Sequence, residues 1–198
     1  MSLYFSSTNK AIQYLSDIEG KRIIIAKYKT KEEFYKANDI NEDEMHWLGN
    51  GEFGNAYDIG NNRVLKITKS KKEFDIAKKL INENSKLDGF VDYFVAEEVD
   101  NEYIIIMEML DTPESIEDKF YELQILLNEQ NIPIIHIDQY FDTDELDLDS
   151  GMIKFISDIE DVARSYRKIG ILAADIRSEN LGYDKHKKLK AFDIFDRS

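Results

Sequence analysis

Cysteine is absent from all 198 residues. Its absence excludes disulfides, zinc–thiolate sites and thiol nucleophiles. An excess of basic charge is absent too: 26 Lys and Arg stand against 40 Asp and Glu, a formal net charge of -14. Gripping a phosphate backbone takes clustered cations, so nucleic acid is not an expected partner. Long apolar runs are missing as well. The longest, "IIIA" at 23–26 and "IIIM" at 104–107, fall far short of a bilayer span, and the first residues lack a basic-then-apolar leader pattern. A membrane partner is therefore not expected, and the expected location is the cytoplasm. What is present is an ordinary globular composition, with 42% apolar and 33% charged residues. A chain of this length buries roughly 70% of its unfolded surface, as one domain or as two small lobes sharing a cleft.

Periodicity divides the chain into three stretches. Residues 1–44 read as helix, strand and helix. Ala11, Ile12, Leu15 and Ile18 share one face over 8–19, "RIIIAK" at 22–27 is rich in β-branched residues, and Thr30 with Glu33 forms a capping box ahead of 31–38. Residues 45–110 hold five strand candidates: "HWLGNG", "NAYDIG", "RVLKIT", "VDYFVAEEV" and "EYIIIMEML". "GNN" at 60–62 supplies a turn, and one amphipathic helix, "KEFDIAKKLI", interrupts the strands. Together they predict a small antiparallel sheet with a single helix. From 111 the pattern turns helical. Thr112-Pro113 opens a helix with Ile116, Phe120, Leu123 and Leu127 inward, and 152–169 buries Ile156, Ile159, Ala163 and Tyr166. The acidic segment 141–151 lacks the spacing and central glycine of a calcium loop and reads as a solvated linker. Two short strands around "NLGY" and "KLKAFDI" close the chain.

The chemistry concentrates in "LGNGEFGNAYDIGNNRVLKIT", with glycines at 49, 51 and 54 and a lysine at 66. A dinucleotide fingerprint runs from strand directly into helix. Here the glycines run from strand into strand, which lets a hairpin tip lie over phosphates with its backbone N–H groups turned toward them. Lys66, on the next strand, can then reach those phosphates. His46, His136 and His186 have no metal-ligand spacing, and Ser178 lacks a paired histidine.

At this point the sequence resembles the protein-kinase superfamily, over about 47–196. "LGNGEFGNAY" is similar to that family's glycine-rich loop, G-x-G-x-x-G-x-V, with Ala56 where Val is usual. "VLKI" resembles its strand-three lysine motif, which implies that Lys66 is the phosphate lysine. Glu73 would be its ion-pair partner, although the gap of seven residues is short for the family, and a plain acid at a helix N-terminus is the alternative. "ADIRSENLGYDKHKKLKAFDIF" is similar to the catalytic loop and metal segment. Asp175 and Asn180 keep the D-x-x-x-x-N spacing, and Asp193 falls where the family has D-F-G. The resemblance implies a two-lobed α+β fold: an extension at 1–44, a sheet lobe at 45–110 and a reduced, mainly helical lobe at 111–198. It implies ATP and Mg²⁺ as cofactors, with Asn180 and Asp193 on the metal and Asp175 accepting the proton of an attacking hydroxyl. It also implies that Met107 lines the back of the adenine slot beside Leu48, Ala56 and Val64. The Glu108 carbonyl and the Leu110 amide would edge the base.

The departures carry information. Ala173 and Ala174 replace the His and Arg of H-R-D, so regulation through a phosphorylated activation loop is not expected. Arg177 stands where protein kinases commonly place a lysine against the transferred phosphate. Ile194 and Phe195 replace the Phe and Gly of D-F-G. Ser198 follows Asp193 by five residues, where protein kinases continue into the elements that position peptides. The expected acceptor is therefore a small molecule, the chain itself or one docked protein, with 111–151 lining its site. An active phosphotransferase is the leading reading. A nucleotide-binding pseudokinase and a small-molecule kinase of the antibiotic-phosphotransferase type are the alternatives.

Overall fold

The computed structural model describes residues 17–18, 21–22, 27–51, 53–113, 116, 120–121, 125, 150–166 and 180–192. The chain forms an α+β structure built around a five-stranded antiparallel sheet.

Near the N-terminus β1 (Asp17–Ile18) pairs antiparallel with β2 (Lys21–Arg22). This corrects the helix expected over 8–19, whose last residues are strand. The register is Asp17↔Arg22 and Ile18↔Lys21, and a pairing of two residues per strand is too short to leave a period of its own in the sequence. The rest of that helix, and 23–26, lie outside the described residues. Helix α1 (Lys31–Ala37) starts as its sequence indicates: Thr30 Oγ1 accepts from the Glu33 amide at 3.2 Å. The Glu33 carboxylate reaches back to the Lys29 amide at 2.8 Å, so two otherwise unpaired donors are satisfied reciprocally.

The main sheet contains β3 (His46–Gly51), β4 (Gly54–Asp58), β5 (Arg63–Thr68), β6 (Tyr93–Val99) and β7 (Glu102–Glu108), in the order β3-β4-β5-β7-β6. Gly60, Asn61 and Asn62 turn β4 into β5 with φ of 74°, 54° and 59°. That is left-handed backbone, which glycine and asparagine tolerate best. Alternation along β5 and β7 divides the core. Leu65, Ile104 and Ile106 pack with Phe34 and Tyr35 of α1 on one face. Ile105 packs with Phe74 and Ala77 of α2 (Lys71–Asn82) on the other, while Val64 and Met107 belong to a neighbouring cluster. Each fully buried Ile or Leu contributes about 1.5–3 kcal/mol relative to exposure.

A second core holds α3 (Ser150–Tyr166), whose Met152, Phe155, Ile156, Ile159 and Val162 are buried. Ile116 and Phe120, both helical, join it, as do Leu181 of β8 (Leu181–Tyr183) and Leu189 of β9 (Leu189–Ala191). Ala163, Tyr166, Leu123 and Leu127, expected to face inward, lie outside the residues whose side chains are described. The β8–β9 hairpin is stitched to its surroundings on both sides. Phe90 bridges Ala191 in parallel, and Asp111 bridges Tyr183 antiparallel. Among the described residues no helix is long and apolar enough to cross a membrane.

Candidate functional site

Lys66 sits mid-strand on β5, opposite Ala56 on one side and Ile105 on the other. Its two chain neighbours, Leu65 and Ile67, point into the α1 core, so period-two alternation sends Lys66 toward α2. There its Nζ lies 2.5 Å from Oε1 of Glu73. Glu73 is almost fully buried, at 2% exposure. Its Oε2 accepts from Thr68 Oγ1 at 2.9 Å, and its amide donates to Ser70 Oγ at 3.2 Å. Glu73 therefore holds both positions the sequence left open: it lies in the first turn of α2, where the macrodipole favours an acid, and it pairs with Lys66. The gap of seven residues suffices because α2 begins three residues after β5 ends. A carboxylate this deep costs several kcal/mol unless a cation and hydrogen bonds hold it, and here both do. An ammonium carries three N–H donors, so a single carboxylate oxygen does not exhaust Lys66.

Beside the pair lies a small apolar cluster of Val64, Val91, Met107 and Leu110, with Ala56 and Phe192 packed against it. Ala56, Val64, Met107 and Leu110, named from the sequence as one slot, thus come together. Leu48 does not join them: it falls at the β3 irregularity between Trp47 and Gly49 and is 48% exposed.

The three glycines lie on the β3–β4 hairpin, with Gly49 opposite Ala56 and Gly51 opposite Gly54. They are not equivalent. A Cβ on Gly54 would stand 1.9 Å from the Ile67 carbonyl oxygen, so the neighbouring strand requires glycine there. A Cβ on Gly49 or Gly51 meets nothing within 4 Å. The fold does not explain those two glycines; close approach of a ligand to the backbone would.

Glu108 ends β7 with its amide bonded to the Asp92 carbonyl at 2.8 Å. Its side chain, missed by sequence reasoning, is buried and carries an ion pair to Lys190 at 2.6 Å. The next amide, Met109, donates to the Asn62 carbonyl at 3.1 Å. Asn180 precedes β8 and accepts at its carbonyl from the Phe192 amide at 3.0 Å, which brings it level with the residue before Asp193. Asp175, Arg177 and Asp193 lie outside the described residues, as do Ala173, Ala174, Ser178, His136, Ile194 and Phe195. His46 and His186 are exposed. Among the described residues no group of three or more His, Asp or Glu could hold a metal, so a metal would depend on Asn180 together with acids beyond them. A shallow concavity of about 370 Å³ flanks the connector at Met109, Leu110, Asp111, Thr112, Tyr183 and Lys185. It contains neither Lys66 nor Asn180 and adjoins the slot at Leu110.

No protein-family model matches the chain, and no characterised protein matches it. The geometry has to carry the functional reading.

Proposed function

We propose that the protein binds ATP and Mg²⁺ and transfers the terminal phosphoryl group to a hydroxyl acceptor, as a protein-kinase-like phosphotransferase with a sheet lobe at 45–110 and a reduced lobe at 111–198. The observation that carries this reading is the buried Lys66–Glu73 pair, 2.5 Å apart, next to the apolar cluster of Val64, Met107 and Leu110. A lysine in a sheet, held by a buried acid at the edge of an apolar slot, suits a ligand with a flat apolar ring and an anionic tail. In this reading the slot takes the base between Ala56, Val64, Met107 and Leu110, edged by the backbone of Glu108 and Leu110. Glu73 holds Lys66 extended toward the phosphates, and the backbone at Gly49 and Gly51 closes over them. Asn180 with Asp193 would hold Mg²⁺, which supplies charge neutralisation on the phosphates. Asp175 orients the acceptor hydroxyl and takes its proton, and Arg177 stands by the transferred group.

The test has two parts. Mg-ATP at 100 times its dissociation constant should stabilise the fold by about 2.7 kcal/mol in a thermal-shift titration. Asp175→Asn should keep that shift and lose phosphoryl transfer to acceptors, measured with labelled ATP. Absence of any shift refutes the nucleotide reading. A shift with no transfer by the native chain leaves the pseudokinase.

A further inference from the structure

Lys190 is a largely buried cation outside the Lys66 site. It occupies the centre of β9, between the buried apolar residues Leu189 and Ala191, and its side chain is only 13% exposed. Its Nζ lies 2.6 Å from Glu108 Oε2 and 3.5 Å from Asp184 Oδ2. Both carboxylates are buried. Each is held by backbone as well: Glu108 Oε2 accepts from the Asp92 amide at 3.3 Å, and Asp184 Oδ1 accepts from the amides of His186 and Lys188 at 2.8 and 2.9 Å. One ammonium therefore ties together the end of β7, the 91–92 segment and the β8–β9 turn.

A buried ion cluster of this kind is weak evidence for stability, because apolar side chains of similar volume often serve as well or better. Its position suggests what it does instead. Two residues beyond Glu108 is Leu110, in the apolar slot; two residues beyond Lys190 is Phe192, in the same slot and bonded to Asn180. Packing leaves no slack between the two strips. A Cβ on Gly182 would lie 2.6 Å from Leu110 Cβ, and Asp111 and Tyr183 exchange backbone hydrogen bonds at 2.9 and 2.8 Å.

Resting on the nucleotide reading above, we infer that Lys190 is a positioning residue: through Glu108 and Asp184 it fixes the connector that edges the base against the hairpin that carries Asn180, so that base and metal-bound phosphates are gripped in one geometry. The ammonium touches neither substrate nor metal. Its removal should weaken the coupling between the two grips rather than either grip alone.

The experiment compares wild type, Lys190→Met and Lys190→Arg by calorimetric titration with adenosine, ATP and Mg-ATP, alongside amide hydrogen exchange of the free protein. Lys190→Met keeps the aliphatic stem and loses the charge. It should bind adenosine within twofold of wild type, while the gain in ATP affinity on adding Mg²⁺ falls at least fivefold; Lys190→Arg should recover most of that gain. Exchange of the Asp111, Tyr183 and Phe192 amides should rise together in Lys190→Met. Equal loss of adenosine and Mg-ATP affinity would mean general damage and would overturn the positioning role, as would an unchanged Mg²⁺ gain. If wild type binds no nucleotide, the functional reading falls and takes this role with it. The exchange pattern then still shows whether Lys190 couples the two strips.

Discussion

The three glycines of the β3–β4 hairpin should separate cleanly on alanine substitution, because only one is required by the fold. In Gly54→Ala the new Cβ would start 1.9 Å from the Ile67 carbonyl oxygen and 2.9 Å from Ile67 C and Thr68 Cα. A comfortable C···O contact is roughly 3.3 Å or more, so relief requires moving β5 by over an ångström. All three obstacles are backbone, which cannot swing away as a side-chain tip can. The cost belongs at the upper end of the overpacking range, about 3 kcal/mol. It falls on the β4–β5 ladder that places Lys66 opposite Ala56. Gly49→Ala and Gly51→Ala meet open space and should be neutral, or stabilising by up to about 1 kcal/mol through a stiffer unfolded chain. Their effect should appear in ligand affinity. Losing one charge-assisted backbone hydrogen bond to phosphate costs about 1.5–3 kcal/mol. That corresponds to a roughly 10- to 150-fold weaker Mg-ATP complex. Urea unfolding gives the first quantity and calorimetric titration the second. If Gly49→Ala and Gly51→Ala both bind Mg-ATP like wild type, the phosphate role of the hairpin is wrong; if Gly54→Ala is as stable as wild type, the steric argument is wrong.

Lys66→Met strands the Glu73 carboxylate without its cation and should cost about 3–5 kcal/mol at neutral pH. Urea midpoints of the two proteins measure that cost, and a variant as stable as wild type would contradict it. The Asp184 carboxyl sits below its ordinary value of 3.8: burial alone would raise it, but the Lys188 and His186 amides and the Lys190 ammonium outweigh that. A depressed acid stabilises the fold above the unfolded value and loses that contribution as pH falls through the folded one. The stability gap between wild type and Asp184→Asn should therefore be flat near neutrality and close only below the ordinary value, and a gap already closing near pH 6 would exclude Asp184 as its source.

What the sequence discloses is local and periodic. β3 and β5 match "HWLGNG" and "RVLKIT" residue for residue; β5 carries the β-branched Val64, Ile67 and Thr68 and starts at the Gly60–Asn62 turn, while the glycines of β3 mark its hairpin with β4. The Thr30 cap is legible because it acts within three residues. The meeting of Ala56, Val64 and Met107 is implied by the resemblance alone; Val64 pairs with Met107 across β5 and β7, which α2 and β6 separate in sequence. What stays hidden depends on contacts distant in sequence. "KLKAFDI" reads only as a short strand; nothing local says that its Lys190 meets the buried Glu108, 82 residues away. Glu108 likewise suggests only a backbone role until its buried side chain is seen against Lys190. At Asp17–Ile18 the apolar period of three to four residues favoured helix over a two-residue pairing too short to show any period.

Strand β5 shows why the lysine and the fold are specified together. Val64 faces the slot, Leu65 the α1 core, Lys66 the α2 side and Ile67 the α1 core again. A slip of one residue in the pairing of β5 would exchange these faces. Lys66 would then enter the layer of Phe34, Ile104 and Ile106, where the carboxylate of Glu73 cannot follow, and Leu65 would replace it beside that buried acid. The slipped state holds two uncompensated buried charges, each costing several kcal/mol, against a native state in which they neutralise each other. The ion pair therefore adds little to the depth of the native minimum, yet it widens the gap to the nearest misregistered sheet. A substitution such as Lys66→Met together with Glu73→Leu removes that penalty from both states. It should be no less stable than wild type while populating an alternative β4–β5 register, detectable as a second set of amide resonances for Ala56 and Ile105. A single set of resonances would show that hairpin turns alone fix the register.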